Sequence, residues 1–208
     1  MLALTHGGPK GMTFMSMPAI RSTFSFVGQM ATHWRETGAL VPSGKRLARA
    51  MADCIGPIAD HDIIVELGPG TGVFTQELLK TFPRNQVLAV EFNHSFVTRL
   101  RTTMPRARII EGCASRLPDL LEVEGIRPGT VAAVVSGLPL LSLDRALSEE
   151  VIRAIAAVVR PGGSYVQFTY SKRAWRRFDV PGFRAEPHRR VWLNVPPAVV
   201  LPFVRTAT

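Results

Sequence analysis

The chain reads as an α/β domain: a parallel sheet covered by helices on both faces, behind an N-terminal amphipathic helical extension. Three observations predict this. From residue 62 onward, short β-branched runs alternate with segments of helical period, the pattern of a sheet buried on both sides. The first run, Ile63, Ile64, Val65, leads directly into "ELGPGTG" (Glu66–Gly72), a glycine-rich turn between strand and helix. Before that, Met17, Ile20, Phe24, Val27, Ala31 and Trp34 recur at spacings of three and four, which puts them on one helical stripe.

Residues 1–12 carry no pattern and are expected to be a flexible end. Residues 13–35 form the first helix, with Ser16 at its start and Pro18 in the first turn. A second helix is expected over 43–58, with Leu47, Met51, Cys54 and Ile58 inward. Residues 13–60 are expected to make a helical extension over the site, and residues 61–208 the core. Within the core, strands are expected at 62–67, 86–91, 107–111, 131–136 and 164–170. Helices are expected at 73–82, 96–104 and 148–159, the last with Ser148 as N-cap, and "RPGG" (Arg160–Gly163) as a turn. Residues 189–194 and 198–204 close the chain as two strands around a proline-rich turn. In such sheets ligands bind at the carboxyl ends of the strands.

The formal net charge is +9, which calls for an anionic partner, a nucleic acid or a membrane surface. Lys172, Arg173, Arg176, Arg177, Arg184, Arg189 and Arg190 face only Asp179 and Glu186, and the first fifty residues are also basic. Both basic regions flank the glycine-rich segment. No CxxC or HxxxH pattern occurs, so no metal site is expected. The longest uncharged stretch, residues 128–143, is interrupted by two prolines and two glycines and falls short of the roughly 20 residues a spanning helix needs.

Three ligands compete for the glycine loop. A phosphate loop requires Gly-Lys-Ser/Thr, whereas Gly72 is followed by Val73 and Phe74. A dinucleotide fold wants GxGxxG, but Gly68, Gly70 and Gly72 give GxGxG, and Glu66 would repel a pyrophosphate. The loop suits a ligand with a positive end, or else it merely connects a strand to a helix. Glu91, closing the second strand in "LAVEFN", is placed to accept from both ribose hydroxyls of an adenosine. "EGCA" (Glu111–Ala114) and "VVSGLP" (Val134–Pro139) follow the third and fourth strands.

With these four segments the sequence resembles the class I S-adenosylmethionine-dependent methyltransferases, which implies a Rossmann-like, seven-stranded sheet and S-adenosylmethionine as cofactor. Glu66, Gly68, Gly70 and Gly72 match the first motif, with Thr71 inside it. Glu91 matches the ribose-binding acid, with Phe92 and Asn93 beside it. Cys113 and Ala114 match the adenine turn, where Cys113 stands in place of the usual Asp. The resemblance also implies cofactor contacts at Ser136, Gly137 and Leu138.

The segment after the fourth strand bears on the acceptor. Methylases of exocyclic base amines, including the rRNA adenine dimethyltransferases, carry Asn/Asp-x-Pro-aromatic there. This chain has Ser136, Gly137, Leu138, Pro139, Leu140, lacking both the amide and the stacking ring. A small alkyl amine needs neither. "TGALVPSGKRLARAM" (Thr37–Met51), "VELGPGTGVFT" (Val65–Thr75), "SGLPLLSL" (Ser136–Leu143), "RPGGSYVQFTYS" (Arg160–Ser171) and "RRVWLNVPPAVV" (Arg189–Val200) together resemble the bacterial phospholipid N-methyltransferases. That resemblance implies stepwise methylation of phosphatidylethanolamine, through mono- and dimethyl intermediates, to phosphatidylcholine. It also implies a cytoplasmic protein bound peripherally to the inner face of the cell membrane, with no nucleic-acid partner. The rRNA dimethyltransferases, more distantly similar, supply the alternative: a nucleic-acid methyltransferase using the basic surface.

Individual residues fit a lipid acceptor. The stripe over 17–34, with Arg21 and Arg35 nearby, suits a helix lying in an anionic membrane interface, or one packed on the protein itself. Arg173, in the basic run after the fifth strand, and Arg189 are the candidates for the lipid phosphate. Tyr170, ending the fifth strand, is the catalytic candidate: its phenol would orient the amine and its ring would face the methylated cation. The other reading of Tyr170 is a core-edge residue with a satisfied hydroxyl. Ser43, at a helix start, is a candidate for the methionine carboxylate or a plain cap.

Overall fold

The computed structural model describes residues 40–171, 180–194 and 196–207. The stripe over 17–34 and the basic run around Arg173 lie outside the described residues.

Helix α1 (Leu40–Ala52) leads into strand β1 (Ile63–Leu67), helix α2 (Val73–Thr81) and strand β2 (Gln86–Glu91). Helix α3 (His94–Thr103), strand β3 (Arg108–Glu111), helix α4 (Leu117–Val123) and strand β4 (Val131–Ser136) follow. Helix α5 (Arg145–Val158) and strands β5 (Val159–Thr169), β6 (Phe183–Ala185), β7 (Arg189–Val191) and β8 (Ala198–Arg205) complete the order. The sheet runs β3-β2-β1-β4-β5-β8-β6. Strands β1 to β5 are parallel, as expected. Strand β8 departs from the expected parallel sheet by entering antiparallel to β5. Strands β6 and β7 lie end to end along the other edge of β8, so eight strands fill seven positions.

Strand alternation sorts the core onto two faces. Ile64, Val87, Val135 and Val166 pack against α1 and α2 through Leu47, Met51 and Leu78. Helix α3 continues this face over Ala89 and Ile109. Val65, Leu88, Val134 and Tyr165 face the other way, onto α4 and α5 through Leu121, Val151 and Ile155. Both faces are thus helix-covered, which is why the central strands read as unbroken apolar runs.

The helix ends refine the expectations. The second predicted helix begins at Leu40 instead of Ser43 and ends at Ala52, so Ser43 lies within the first turn rather than capping it. Helix α5 is capped by Asp144, whose side chain accepts from the N–H groups of Ala146 and Leu147. Ser148, expected there, instead donates its hydroxyl to the Leu140 carbonyl at 2.8 Å. "RPGG" is a turn inside β5: Val131 pairs with Val159 and Ala133 with Ser164, so residues 160–163 bulge from the ladder. The bulge is anchored where Arg160 meets Asp62 in a two-pronged pair at 2.9 and 2.8 Å, joining β5 to the start of β1.

Candidate functional site

The carboxyl ends of β1, β2, β3 and β4 form one rim, and backbone hydrogen bonds stitch it. The first residue after β1, Gly68, donates its N–H to Val90 at 2.9 Å. Gly112 donates to Glu91 at 2.9 Å, and Gly137 to Leu67 at 2.8 Å. Each loop therefore leaves its strand in contact with the neighbouring strand. Glycine is required where they touch: a Cβ on Gly137 would stand 2.8 Å from the Gly68 carbonyl oxygen. Gly70, at φ +54°, is different, because nothing lies within 4 Å of its Cβ direction. It leaves open space at the crest of the loop. Gly72 starts α2 in a left-handed conformation with no side-chain cap, and within that first turn the Thr75 N–H is taken up by the Glu66 carboxylate. The first turn of α1 packs beside this point, a Cβ on Gly44 reaching Val73 at 3.5 Å. Ser43 is thereby placed next to the glycine loop in the chain, although its side chain is not among those described.

Two carboxylates line the rim. Glu66 is fully buried among apolar residues of β1, β2 and β4. One oxygen accepts from the Thr75 hydroxyl at 2.6 Å; the other, Oε1, is buried without a partner. Burial pushes its pKa up to about 7, with the charge of Glu91 adding to the rise and the Thr75 hydroxyl opposing it. A buried acid with an orphan oxygen and an acidic neighbour is a site for a cation. Glu91, nearly buried, accepts from Gly70 N–H at 3.0 Å and Asn93 N–H at 2.8 Å, one on each oxygen. A carboxylate oxygen has two lone pairs, so both can still accept a hydroxyl. These donors and acceptors fit a nucleoside bearing a positive charge.

Phe92 stands 41% exposed beside Glu91. Asn93, expected at the cofactor, caps α3: its side chain accepts from the N–H groups of Ser95 and Phe96. Cys113 and Ala114 lie at the end of β3, partly buried, with the Cys113 sulfur 3.2 Å from the Ser115 hydroxyl. Thr71 is exposed on the glycine loop.

The loop after β4 is held from below by polar groups that sequence reasoning missed. Ser136 is fully buried, and its hydroxyl accepts from Leu138 N–H at 3.3 Å. Gln167, paired with Ser136 across the ladder, donates to the carbonyls of Leu138 and Phe168, both at 2.9 Å. The Tyr165 hydroxyl donates to Gln167 Oε1 at 2.9 Å. The available signal was the strand period of two, which puts 165 and 167 on one face next to Ser136. Thr75, the partner of Glu66, was missed because its contact depends on the seating of α2.

Tyr170 follows β5 at the same end of the sheet and packs edge-on against Phe168, 5.3 Å between centroids. Burial pushes its phenol up to about 12, opposed in part by the side chain of Asn194. Arg189 on β7 lies half exposed, 3.4 Å from Asp53 just past α1, so an acid already shares its charge. Among the described residues no group of three His, Cys, Asp or Glu could hold a metal, and no helix is long and apolar enough to cross a membrane.

An open, largely parallel sheet with a glycine crest and two acids at its carboxyl rim defines a class of nucleoside-dependent α/β enzymes. Residues 64–163 match the family described as "Methyltransferase domain". Over 188 residues the chain is 31% identical to the ornithine lipid N-methyltransferase of Singulisphaera acidiphila, covering 86% of this chain and 94% of that protein. It is 28% identical over 151 residues to the ribosomal RNA small subunit methyltransferase A of Thermotoga petrophila, covering 70% of this chain and 55% of that protein. The fold is shared with the 1,6-didemethyltoxoflavin-N1-methyltransferase of Burkholderia thailandensis, solved with S-adenosylhomocysteine: TM-score 0.68 at 13% identity, covering 96% and 94% of the two chains. The chain belongs to the class I S-adenosylmethionine-dependent methyltransferases, and S-adenosylmethionine is its cofactor.

Proposed function

We propose that this methyltransferase acts on a lipid-borne primary amine at an anionic membrane surface, converting phosphatidylethanolamine stepwise through its mono- and dimethyl forms to phosphatidylcholine. The observation that carries the lipid assignment is the identity along 94% of a relative named for N-methylation of a lipid. The acceptor loop supports it. Gly137 occupies the place of the base-reading amide, with its Cβ direction blocked by Gly68, and Leu140 is buried where a base would need an aromatic face.

The cofactor supplies a methyl group carried on a sulfonium. In this reading Glu91 accepts the ribose hydroxyls, Phe92 and the Cys113–Ala114 turn flank the adenine, and Gly70 and Thr71 line the approach. Glu66 neutralises the positive end, and Ser43 with the start of α2 receives the carboxylate. Ser136, Gly137 and Leu138 form the floor between cofactor and acceptor. Tyr170 remains a neutral phenol at physiological pH, since burial holds it near 12. It therefore acts as an orienting hydroxyl and a cation-facing ring rather than as a base. The amine arrives protonated and gives its proton to bulk water on entering the site, because desolvation lowers an amine pKa without a dedicated protein base. Most of the acceleration is then alignment and exclusion of water. Arg173 and Arg189 bind the lipid phosphate, and residues 13–35 lie in the interface. Deletion of residues 1–35 is expected to weaken liposome binding; undiminished binding would remove that segment from the reading.

Labelled S-adenosylmethionine offered to phosphatidylethanolamine vesicles, ornithine-lipid vesicles and total RNA in parallel tests the assignment. Label in mono-, di- and trimethylated phosphatidylethanolamine supports it. Label confined to ornithine lipid keeps the reaction class but takes Arg173 and Arg189 out of phosphate binding. The similarity to the ribosomal RNA methyltransferase is the reason for the RNA arm, and label there alone would overturn the lipid reading.

A further inference from the structure

Two large apolar side chains stand adjacent at one turn: Trp192 is 66% and Leu193 68% exposed. The turn joins β7 to β8, and it is braced. Asn194, buried beneath it, donates its amide to the Pro196 carbonyl at 2.7 Å, and the Leu193 carbonyl accepts from Arg46 of α1 at 3.3 Å. The backbone is thus tied at Leu193 and just beyond it, and the side chains that face outward are the two with most to gain from leaving water.

The neighbours of the pair are cationic. The Arg190 guanidinium lies 5.4 Å from the Trp192 ring centroid, and Arg189 is on the same short strand. An indole flanked by arginine and projecting beside a leucine suits the boundary between headgroups and acyl chains, where tryptophan collects and cations meet an anionic leaflet. The turn also lies at the correct end of the molecule. Val191 pairs with Ala198, and the next residue of β8, Val199, pairs with Thr169 at the carboxyl end of β5. Asn194 acts on Tyr170, so the braced turn is physically continuous with the acceptor side of the site.

We infer that the β7–β8 turn is an interfacial anchor: Trp192 and Leu193 enter an anionic bilayer and set the carboxyl rim of the sheet against it. This rests on the lipid reading above for its purpose, but the anchor is tested separately. In a Trp34→Phe/Trp175→Phe chain, Trp192 is the sole indole. Its emission is expected to shift blue and to be quenched by brominated lipid in vesicles of phosphatidylcholine with phosphatidylglycerol. In the otherwise native chain, Trp192→Ser/Leu193→Ser is expected to lower the partition coefficient onto those vesicles at least about tenfold, with S-adenosylhomocysteine affinity unchanged by calorimetry. Absent quenching together with unchanged partition overturns the anchor. So does an indole already shielded from iodide without vesicles: at every protein concentration this means that residues 13–35 cover the turn, and only at high concentration that a second copy does. Methylation of dispersed short-chain phosphatidylethanolamine separates the two proposals. Lipid methylation without Trp192 quenching defeats the anchor alone. Quenching without methylation of any lipid amine defeats the proposed function and leaves the anchor standing.

Discussion

Replacing Glu66 by Gln removes a charge from the most buried acid of the rim while keeping its shape. The native carboxyl binds its proton near pH 7, whereas the unfolded one releases it near 4.5. Between those values the native state holds a proton that the unfolded state has lost, so this group's contribution to stability falls as pH rises. The contribution is most favourable below 4.5 and fully lost above 7. At 1.36 kcal/mol per unit the loss amounts to about 3 kcal/mol at pH 8. The substituted glutamine keeps an oxygen for the Thr75 hydroxyl but places an amide where Oε1 has no partner, a cost of about 1 kcal/mol. The ligand-free variant should therefore be about 2 kcal/mol more stable than the wild type at pH 8. In a domain of this size that is a rise of roughly 4–8 °C in Tm. At pH 5 the advantage should vanish. Cofactor affinity should move oppositely, because the variant no longer offers a negative charge to a cation. Thermal unfolding of both proteins at pH 5 and pH 8, with and without S-adenosylmethionine, measures all of this. A Tm difference that does not change with pH, or a variant less stable at pH 8, would refute the claim that Glu66 is an uncompensated buried acid.

Glu91→Gln weakens the hold on Gly70 N–H and the acceptance of ribose hydroxyls; S-adenosylhomocysteine should bind about tenfold more weakly or worse, by calorimetry. Gly137→Ala puts a Cβ 2.8 Å from the Gly68 carbonyl, backbone against backbone, and should cost about 1–3 kcal/mol in a denaturant titration. Tyr170→Phe should reduce turnover on lipid amine without loss of cofactor affinity; unchanged rates would remove the phenol from the mechanism. Gln167→Leu frees the Leu138 carbonyl and takes the Gln167 partner from the Tyr165 hydroxyl, and should lower kcat with little change in cofactor affinity.

Strands β2 and β4 appear with the boundaries their apolar runs predict, because a strand buried on both faces leaves its whole length in the sequence. The convergence of Gly68, Gly70, Gly72, Glu91 and Gly137 at one end of the sheet was equally legible, because their order after successive strands requires it. What escaped depends on partners distant in sequence. Asp144 and Ser148 are both good caps by residue type, and only the Leu140 carbonyl, seated by the loop after β4, gives Ser148 another task. Strand β6 is three residues long and partly exposed, so it exists through its pairing with β8 and not through its own pattern. Arg189 reads in the sequence as a candidate for the lipid phosphate; its partner Asp53 follows a helix that packs against the sheet, 136 residues earlier in the chain.

The placement of β8 also orders events in time. Strands β6 and β7 join the sheet solely through β8 among the described strands, and β8 follows both in the chain. Neither can dock, and β5 keeps an open hydrogen-bonding edge, until residues 198–205 are available to slide between them. A ribosome-bound chain could assemble the glycine-rich rim early, from segments contiguous between 63 and 137. The region around Tyr170, beside β5, and the Trp192 turn would have to wait for late synthesis. Such delayed closure exposes a strand edge to neighbours, and it makes the final strand, rather than the glycine loop, the step at which a nascent chain commits to a working enzyme.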